Sequence, residues 1–421
     1  MRFHSTRGAR GASLRAALTS GLASDGGLYV PSRIPRACDA WRECNHFAGL
    51  GLTILRPYLE KEVPEDQIVS IVREALDFPV PLVRLEGWDD TYVMELFHGP
   101  TLSFKDFGAR TMARLMSFFT AGAPVTVLVA TSGDTGSAVA DGFAGCAGLR
   151  VALLFPEGQV SSMQAQQLTL QRPGVRAYAV QGTFDDCQAM VKEALASPQG
   201  LRLSVANSIN VGRLLPQMLY YFWAVIQGGF EEVVFCVPCG NLGNLTGGVL
   251  ATQAGLPVKA FLAAHNANRA FPQYLQTGTF TSGLSVQTLS NAMDVGSPSN
   301  FDRLQHLCPD MRAKVTGYSI SDEETLRSIR CVHEETGYIA DPHTAVALEA
   351  ARRHRKATGT GLPHVVLATA HPAKFPETVC RALGQGLAIP PGLQGLASRP
   401  KRVEPLAATK AALMEALRIW R

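Results

Sequence analysis

The sequence predicts an α/β protein with mostly parallel, twisted sheets and helices on both faces of those sheets. Short β-branched runs alternate with helical patterns from residue 121 onward, as they do where crossover helices join parallel strands. Several of these runs are continuously apolar, which is typical of strands covered on both faces. The predicted strands are residues 125–130, 149–155, 175–181, 233–237, 258–264 and 365–368.

Local signals indicate where helices begin and where the chain divides. Ser321 and Glu324 have the spacing of a capping box, and Asp341 precedes a first-turn proline. Scattered prolines before residue 84 indicate a small N-terminal domain, residues 1–84. The main region, residues 85–388, is expected to contain a smaller subdomain (about 100–205) and a larger one (about 206–388). A proline-rich stretch followed by a helical pattern over 406–420 predicts a C-terminal arm, residues 389–421.

Composition narrows the class of protein. The 421 residues are 46% hydrophobic, enough to bury a large core. The 39 basic and 35 acidic residues are scattered along the chain, which argues against a nucleic-acid partner. Apolar runs are far shorter than the ~18 residues that span a bilayer, so no membrane partner is expected. Nine cysteines without a secretory signal favour reduced thiols in the cytoplasm.

The first 24 residues contain four arginines and no acidic residue, as mitochondrial transit peptides do. They continue without a break into residues 21–29, which are rich in turn-forming residues. We therefore favour a folded segment over a cleaved leader.

Two glycine-containing loops that follow predicted strands are candidate anion sites. Residues 238–248 contain Gly240 and Gly243 and lead into an apparent helix. Backbone N–H groups of such a loop approach a phosphate closely, and the helix N-terminus adds partial positive charge. Residues 130–137 repeat the arrangement with hydroxyl groups. Neither a dinucleotide nor a Walker A spacing is present, which favours a smaller phosphorylated ligand.

Lys105 is the candidate nucleophile. It lies between Phe104 and Phe107, where apolar surroundings would lower the pKa of the amine and leave it free to attack an aldehyde. Most lysines are solvated surface charges, so the residue alone is a weak signal. A phosphorylated aldehyde cofactor would use this lysine and both loops together.

The chain resembles the threonine synthase family of fold-type II pyridoxal-phosphate enzymes over nearly its whole length. HGPTLSFKD at 98–106 resembles the family's cofactor-lysine segment, and ATSGDTG at 130–136 resembles a second family block. Further blocks follow the family's order. They are residues 5–8, 24–29, 182–188, 207–210, 288–294 and 367–372.

The resemblance implies particular roles for residues of this chain. Lys105 is expected to hold pyridoxal 5'-phosphate as a Schiff base, residues 240–244 to cradle its phosphate, and Thr369 to face the pyridine nitrogen. The expected cofactor contacts are Lys105, Ser132, Asp134, Gly240, Asn241, Leu242, Gly243, Asn244 and Thr369. The expected substrate contacts are Thr101, Ser132, Gly133, Thr135, Asn210, Arg213 and Lys374. Arg213 and Lys374 are the candidates for the substrate's own phosphate.

The implied activity is a carbon–oxygen lyase reaction, the last step of threonine biosynthesis. O-phospho-L-homoserine and water give L-threonine and phosphate by β,γ-elimination and replacement.

Two residues of the glycine loop depart from the family. Cys239 stands where the family more often has Ser or Thr, and Leu242 stands where it more often has Phe. The Cys236–Cys239 pair has C-x-x-C spacing, but a second pair is missing, so no metal site is expected.

Two alternatives remain open from the sequence. A phospho-lyase with the same cofactor would release phosphate, ammonia and a 2-oxo acid. A non-catalytic protein could keep the anion loops and bind a phosphorylated ligand, because a fold alone does not establish activity. The sequence is compatible with a monomer or a homodimer.

Overall fold

The computed structural model describes residues 1–120 and 124–420. Its strands are β1 (Arg2–Ser5), β2 (Ala12–Ser13), β3 (Tyr29–Pro31), β4 (Leu82–Arg84), β5 (Thr91–Glu95), β6 (Val125–Ala130), β7 (Leu149–Pro156), β8 (Val175–Gln181), β9 (Leu203–Val205), β10 (Val233–Pro238), β11 (Val258–His265), β12 (Val315–Ser319), β13 (His364–Ala368) and β14 (Glu404–Ala407). Its helices are α1 (Leu14–Ser20), α2 (Phe47–Leu59), α3 (Glu65–Ala75), α4 (Lys105–Phe119), α5 (Asp134–Phe143), α6 (Ser162–Thr169), α7 (Phe184–Ala196), α8 (Val211–Leu214), α9 (Leu219–Gly228), α10 (Gly243–Gln253), α11 (Ala270–Thr277), α12 (Phe301–Leu307), α13 (Met311–Lys314), α14 (Asp322–Thr336), α15 (Pro342–Thr358), α16 (Pro376–Leu383) and α17 (Lys410–Ile419).

The described strands form three sheets. The large sheet has the order β12-β11-β10-β13-β5-β4 and is parallel except for β4. The small sheet has the order β14-β8-β7-β6-β9 and is parallel throughout. A short antiparallel sheet, β2-β1-β3, belongs to the N-terminal region. The predicted α/β class with mostly parallel sheets is confirmed.

All six predicted strands are present with shifts of at most one residue at an end. Strands β6 and β8 have the predicted bounds, and β10 and β11 each extend one residue further. Every residue of β10 and β13 is buried, as expected for strands with helices on both faces. The carboxyl ends of the central strands therefore point into loops between the two main sheets.

The predicted helix caps are also confirmed. The Ser321 hydroxyl accepts a hydrogen bond from the Glu324 N–H, and the Glu324 carboxylate accepts one from the Ser321 N–H. The Asp341 carboxylate accepts from the N–H groups of His343 and Thr344. These bonds satisfy N–H groups that have no partner within the helix.

The C-terminal segment differs from its predicted helix over 406–420. The helix begins at Lys410, where the Thr409 hydroxyl accepts from the Ala412 N–H. Before it, β14 pairs in parallel with β8 at the edge of the small sheet. Leu406 is buried there, and Pro405 fits an edge strand because one side of such a strand needs no N–H donor. Strand β14 thus completes one edge of the small sheet. Residue 421 lies outside the described part.

The N-terminal region packs on helices of the main body. Phe47 of α2 contacts Phe107 of α4 edge to face, with ring centroids 5.4 Å apart. Arg303 of α12 is fully buried and donates to the carbonyl oxygens of Tyr29 (3.1 Å) and Ile209 (2.6 Å). One guanidinium therefore ties the N-terminal region to the segment that follows β9.

We expect Arg303→Leu to lower the free energy of unfolding by about 3 kcal/mol or more, because it leaves several buried carbonyl groups unpaired. Arg312→Leu is the matched control, since Arg312 also donates to two carbonyl oxygens at 3.0 Å but is exposed. Its loss is expected to stay below about 1 kcal/mol. Thermal unfolding measures the stability of both variants. Equal losses of unfolding free energy in the two would contradict the proposed role of Arg303.

Candidate active site

A cavity lies between the small and large sheets, at the carboxyl ends of β6, β10 and β13. Ligands of parallel α/β sheets bind at this edge because strand ends and helix N-termini converge there. Many of the predicted site residues line the cavity. They are Lys105, Ser132, Asp134, Thr135, Arg213, Gly240, Asn241, Leu242, Gly243, Asn244 and Thr369.

Lys105 is the first residue of α4 and lines the cavity. Its Nζ lies 5.9 Å from the centre of the Phe104 ring. Burial lowers the pKa of Lys105 to about 8; Asp134 opposes this shift, and Lys374 and Arg213 add to it. Roughly a tenth of the side chain is therefore a neutral amine at pH 7, which is the form able to attack a carbonyl carbon.

The backbone around Lys105 is held from two sides. The Phe104 N–H donates to the Thr369 carbonyl oxygen at 2.9 Å, which joins the lysine segment to the end of β13. Asp106 accepts from the Thr101 N–H (2.9 Å) and hydroxyl (2.6 Å). Burial raises the pKa of Asp106 to about 6, against the effect of these hydrogen bonds. Thr101 thus shapes the loop before Lys105 and is not among the residues that line the cavity.

The loop between β10 and α10 provides the candidate phosphate site. Leu242 has a φ of +60° and turns the chain into α10, whose first residue is Gly243. A Cβ at Gly240 would lie 3.0 Å from the Ala292 carbonyl oxygen, so a side chain there would collide with the opposite wall. Cys239, where the family more often has a hydroxyl residue, is buried and its thiol contacts the Val237 carbonyl oxygen.

Buried donors without partners indicate that this cavity is shaped for an anionic group. Within residues 1–120 and 124–420, Asn244 Nδ2 and Arg213 Nε are buried and make no hydrogen bond. Asn244 is fixed in orientation because its Oδ1 accepts from the hydroxyls of Tyr220 (2.6 Å) and Tyr221 (2.9 Å). Leaving buried donors unpaired is costly. Asn244 Nδ2, together with the α10 N-terminus, fits the phosphate of pyridoxal phosphate, and Arg213 Nε is left for another anion.

The small sheet contributes the loop after β6. Asp134 begins α5, and its Oδ1 lies 2.8 Å from Lys374 Nζ and 3.1 Å from Gln164 Nε2. Burial opposes ionisation, but Lys374 and Lys105 hold the pKa of Asp134 below its usual range. Gly133 has a φ of +143°, and a Cβ there would lie 2.3 Å from the Gln164 side chain. Asp134 therefore presents a fixed carboxylate to the cavity.

Three other predicted contact residues do not line the cavity. Gly133 forms the turn before α5. Asn210 is fully buried and caps α8 by accepting from the Gly212 N–H at 3.0 Å, so it orients the helix that carries Arg213. Lys374 is fully buried and donates to Asp134 and to the Thr101 carbonyl oxygen at 2.8 Å. The expected contact between Lys374 and a substrate phosphate is not supported, because its ammonium is already paired behind the cavity wall.

Sequence reasoning missed the wall opposite the phosphate site. Asn291, Met293 and Asp294 line it; the block that contains them resembles the family, but no role was assigned to them. Burial raises the pKa of Asp294 to about 6, although hydrogen bonds from Thr288 oppose the shift. Alternating hydroxyl, amide and carboxyl groups over 288–294 are the signal that could have identified this loop.

His343 is a second missed residue. Its Nδ1 lies 2.6 Å from Asp341 Oδ2, and its Nε2 accepts from the Ala292 N–H at 3.2 Å. These two contacts assign the proton to Nδ1. The side chain lines the cavity and holds the Asn291–Met293 turn in place. Its position two residues after the predicted cap Asp341 is the only sequence signal for it.

Among residues 1–120 and 124–420, no group of three or more His, Cys, Asp or Glu side chains is arranged to hold a metal ion. In the same part of the chain, no helix is long and apolar enough to cross a membrane.

The chain matches three protein-family models. The model described as pyridoxal-phosphate dependent enzyme matches residues 74–369. The model for the threonine synthase N terminus matches residues 2–76, and the one for the threonine synthase C-terminal region matches residues 344–417. The C-terminal match includes β14 and most of α17, which the structure places with the small sheet.

Individual relatives agree with these models. The chain is 41% identical to a threonine synthase of Serratia marcescens, with 92% of each chain covered, and 40% identical to one of Escherichia coli, with 95% covered. It is also similar to the crystal structure of Escherichia coli threonine synthase, with a TM-score of 0.93 at 37% identity over all of both chains. A pyridoxal-phosphate-bound threonine synthase from Brucella melitensis matches with a TM-score of 0.92 at 33% identity, covering 100% of this chain and 99% of that one. The chain belongs to the threonine synthase family of pyridoxal-phosphate-dependent enzymes.

Proposed function

We propose that this chain converts O-phospho-L-homoserine and water into L-threonine and phosphate, with Lys105 as the residue that binds pyridoxal phosphate covalently. One observation carries the proposal: a partly buried lysine with a lowered pKa shares a cavity with a glycine loop and unpaired buried donors. When bound, the cofactor supplies an electron-withdrawing ring that stabilises negative charge on the substrate's carbon atoms.

The cofactor would be held at three points of the cavity. The first-turn N–H groups of α10, with Asn244 Nδ2, would hold its phosphate. The Thr369 hydroxyl would face the pyridine nitrogen from the end of β13. Lys105 would reach the aldehyde from α4. A neutral hydroxyl at the ring nitrogen is a weaker proton donor than a carboxylic acid. Lys105 and the two loops would therefore control more of the reaction than the ring nitrogen does.

Lys105 is also our candidate base. Once the substrate's amine has displaced it, its Nζ can take the proton from the substrate's α-carbon. A pKa of about 8 leaves roughly a tenth of this amine unprotonated at pH 7, far more than for a lysine of ordinary pKa. The following steps would be loss of a β-proton with release of phosphate from the γ-carbon, return of a proton to the γ-carbon to form the methyl group, and addition of water, which places a hydroxyl on the β-carbon and a proton on the α-carbon.

Arg213 is our candidate for the substrate's phosphate. Its Nη1 donates to the Ala206 carbonyl oxygen at 2.7 Å, while its Nε is buried without a partner in the described chain. Burial lowers the pKa of Arg213 to about 10, so the group stays charged at neutral pH. Ser132 and Thr135, at the N-terminus of α5, would bind the substrate's carboxylate.

We further propose a cytoplasmic enzyme that acts as a monomer or homodimer.

Incubation of the cofactor-loaded protein with O-phospho-L-homoserine tests the reaction directly. We expect L-threonine and inorganic phosphate in equal amounts, measured by chromatography and a phosphate assay. Formation of 2-oxobutyrate and ammonia would instead establish the phospho-lyase alternative, and no turnover would favour the non-catalytic one.

We expect Lys105→Ala to lower turnover at least 10⁴-fold, because it removes both the covalent attachment and a base, and each general base contributes roughly 10²–10⁴-fold. Lys192→Ala, at an exposed position of α7, should leave turnover unchanged. Turnover within tenfold of the unmodified protein would exclude Lys105 as the essential amine. Visible absorbance after addition of cofactor reports covalent binding independently.

We expect Arg213→Gln to raise the KM for O-phospho-L-homoserine roughly 10- to 100-fold, since a charge-assisted hydrogen bond contributes about 1.5–3 kcal/mol. Inhibition by inorganic phosphate should weaken in parallel. Arg327→Gln, on the exposed side of α14, is the control. An unchanged KM in a variant that still unfolds at the normal temperature would show that Arg213 does not bind the substrate's phosphate.

A further inference from the structure

Lys374 is a buried cation that the reaction, as described above, does not use. It ends the short 3-10 turn Pro372–Lys374 after β13 and has no exposed surface. Its Nζ donates to Asp134 Oδ1 and to the Thr101 carbonyl oxygen, each at 2.8 Å. The two contacts join the large sheet to the two segments that frame Lys105.

A buried ion pair of this kind needs an explanation beyond stability. Removing an ammonium and a carboxylate from water costs several kcal/mol for each ion, and an apolar pair of similar volume is often as stable. Asp134 lines the cavity, and Gln164 also donates to it at 3.1 Å. The pair therefore keeps a charged carboxylate at a fixed place in the cavity wall.

The second contact of Lys374 reaches the lysine segment itself. The Thr101 N–H and hydroxyl both donate to Asp106, the residue after Lys105. Gln167 also donates to the Thr101 carbonyl oxygen, at a longer 3.4 Å. Displacement of Lys374 would therefore leave the Thr101 carbonyl oxygen with only the longer bond from Gln167, and so loosen one of the contacts that hold the turn before α4.

We propose that Lys374 is a positioning residue that holds Asp134 as a charged carboxylate in the cavity wall and fixes, through Thr101, the turn that carries Lys105. This replaces the expectation that Lys374 binds the substrate's phosphate. The inference rests on the proposed role of Lys105 and extends it by naming the groups that set the reactivity of its amine.

The charges around Lys105 support this role. Burial has the largest effect on the pKa of Lys105 and lowers it. The next largest effects come from Asp134, which raises the pKa, and then from Lys374 and Arg213, which lower it. Other titratable groups face the pair. Asp106 interacts with Lys374, His343 with Asp134, and His371 with Lys374. Lys374 and Asp134 therefore act on Lys105 with opposite signs, so removing each alone shifts the pKa in opposite directions.

The test is the pH dependence of cofactor capture by the full-length chain after its cofactor has been removed. Pyridoxal 5'-phosphate is added, and the visible absorbance reports formation of the carbon–nitrogen bond, with release of water. Only the unprotonated amine of Lys105 reacts. For the unmodified chain, the rate is expected to rise with pH through a midpoint near the Lys105 pKa of about 8.

Lys374→Met should move this midpoint upward by roughly one pH unit, so that capture at pH 7 is about tenfold slower. Asp134→Asn should move the midpoint downward. The double variant Lys374→Met/Asp134→Asn, which removes both charges, should return the midpoint to near that of the unmodified chain. Lys314→Met is the matched control, because Lys314 pairs with Asp310 at the same 2.8 Å but both side chains are more than half exposed.

Midpoints that stay within error of the unmodified chain in both single variants, or that move in the same direction, would overturn the inference. A purely structural Lys374 would change the amount of active protein and leave the midpoint in place. If Lys374→Met does not fold, Asp134→Asn and the double variant still decide the question. Absence of capture by the unmodified chain would instead contradict the proposed function of Lys105.

Discussion

The main-chain hydrogen bond from Phe104 to Thr369 determines where the candidate chemistry can occur. It joins the start of α4 to the end of β13, 2.9 Å between nitrogen and oxygen, and so places Lys105 beside the carboxyl edge of the large sheet. The small sheet lies across the cavity and contributes Asp134. The hydrogen bond fixes the backbone from which the Lys105 side chain reaches the cavity, which reduces the ordering needed when a ligand binds.

The polar groups of the cavity divide into those that are satisfied within the protein and those that are not. Asp134 and His343 have their partners, and these contacts fix the shape of the walls. Asn244 Nδ2 and Arg213 Nε, in the described part of the chain, have none. Because unpaired buried donors are unfavourable, their cost is offset only when an acceptor enters. This division separates the framework of the site from its candidate ligand contacts.

The regions that sequence reasoning described incorrectly are those whose structure depends on distant partners. Residues 404–410 carry apolar residues compatible with a helix, yet β14 forms because the open edge of β8 offers hydrogen bonds to it. Lys374 follows a family block in the sequence, but its ammonium turns toward Asp134 and Thr101. The order of neighbouring residues does not show where such distant partners lie. Neither strand β14 nor the pairing of Lys374 could therefore be predicted from the spacing of residues.

The sequence alone determined the α/β class, the central strands, the helix caps and the identity of Lys105, the glycine loop and Thr369 as site candidates. These features depend on hydrophobic periodicity, capping chemistry and ordered motifs, which are properties of neighbouring residues. Only the tertiary structure decided that Asn291–Asp294 and His343 line the cavity and that Lys374 is buried and paired with Asp134. The reason is physical: charge pairing, burial and cavity shape arise between segments far apart in the chain, and they exist only after the sheets have come together.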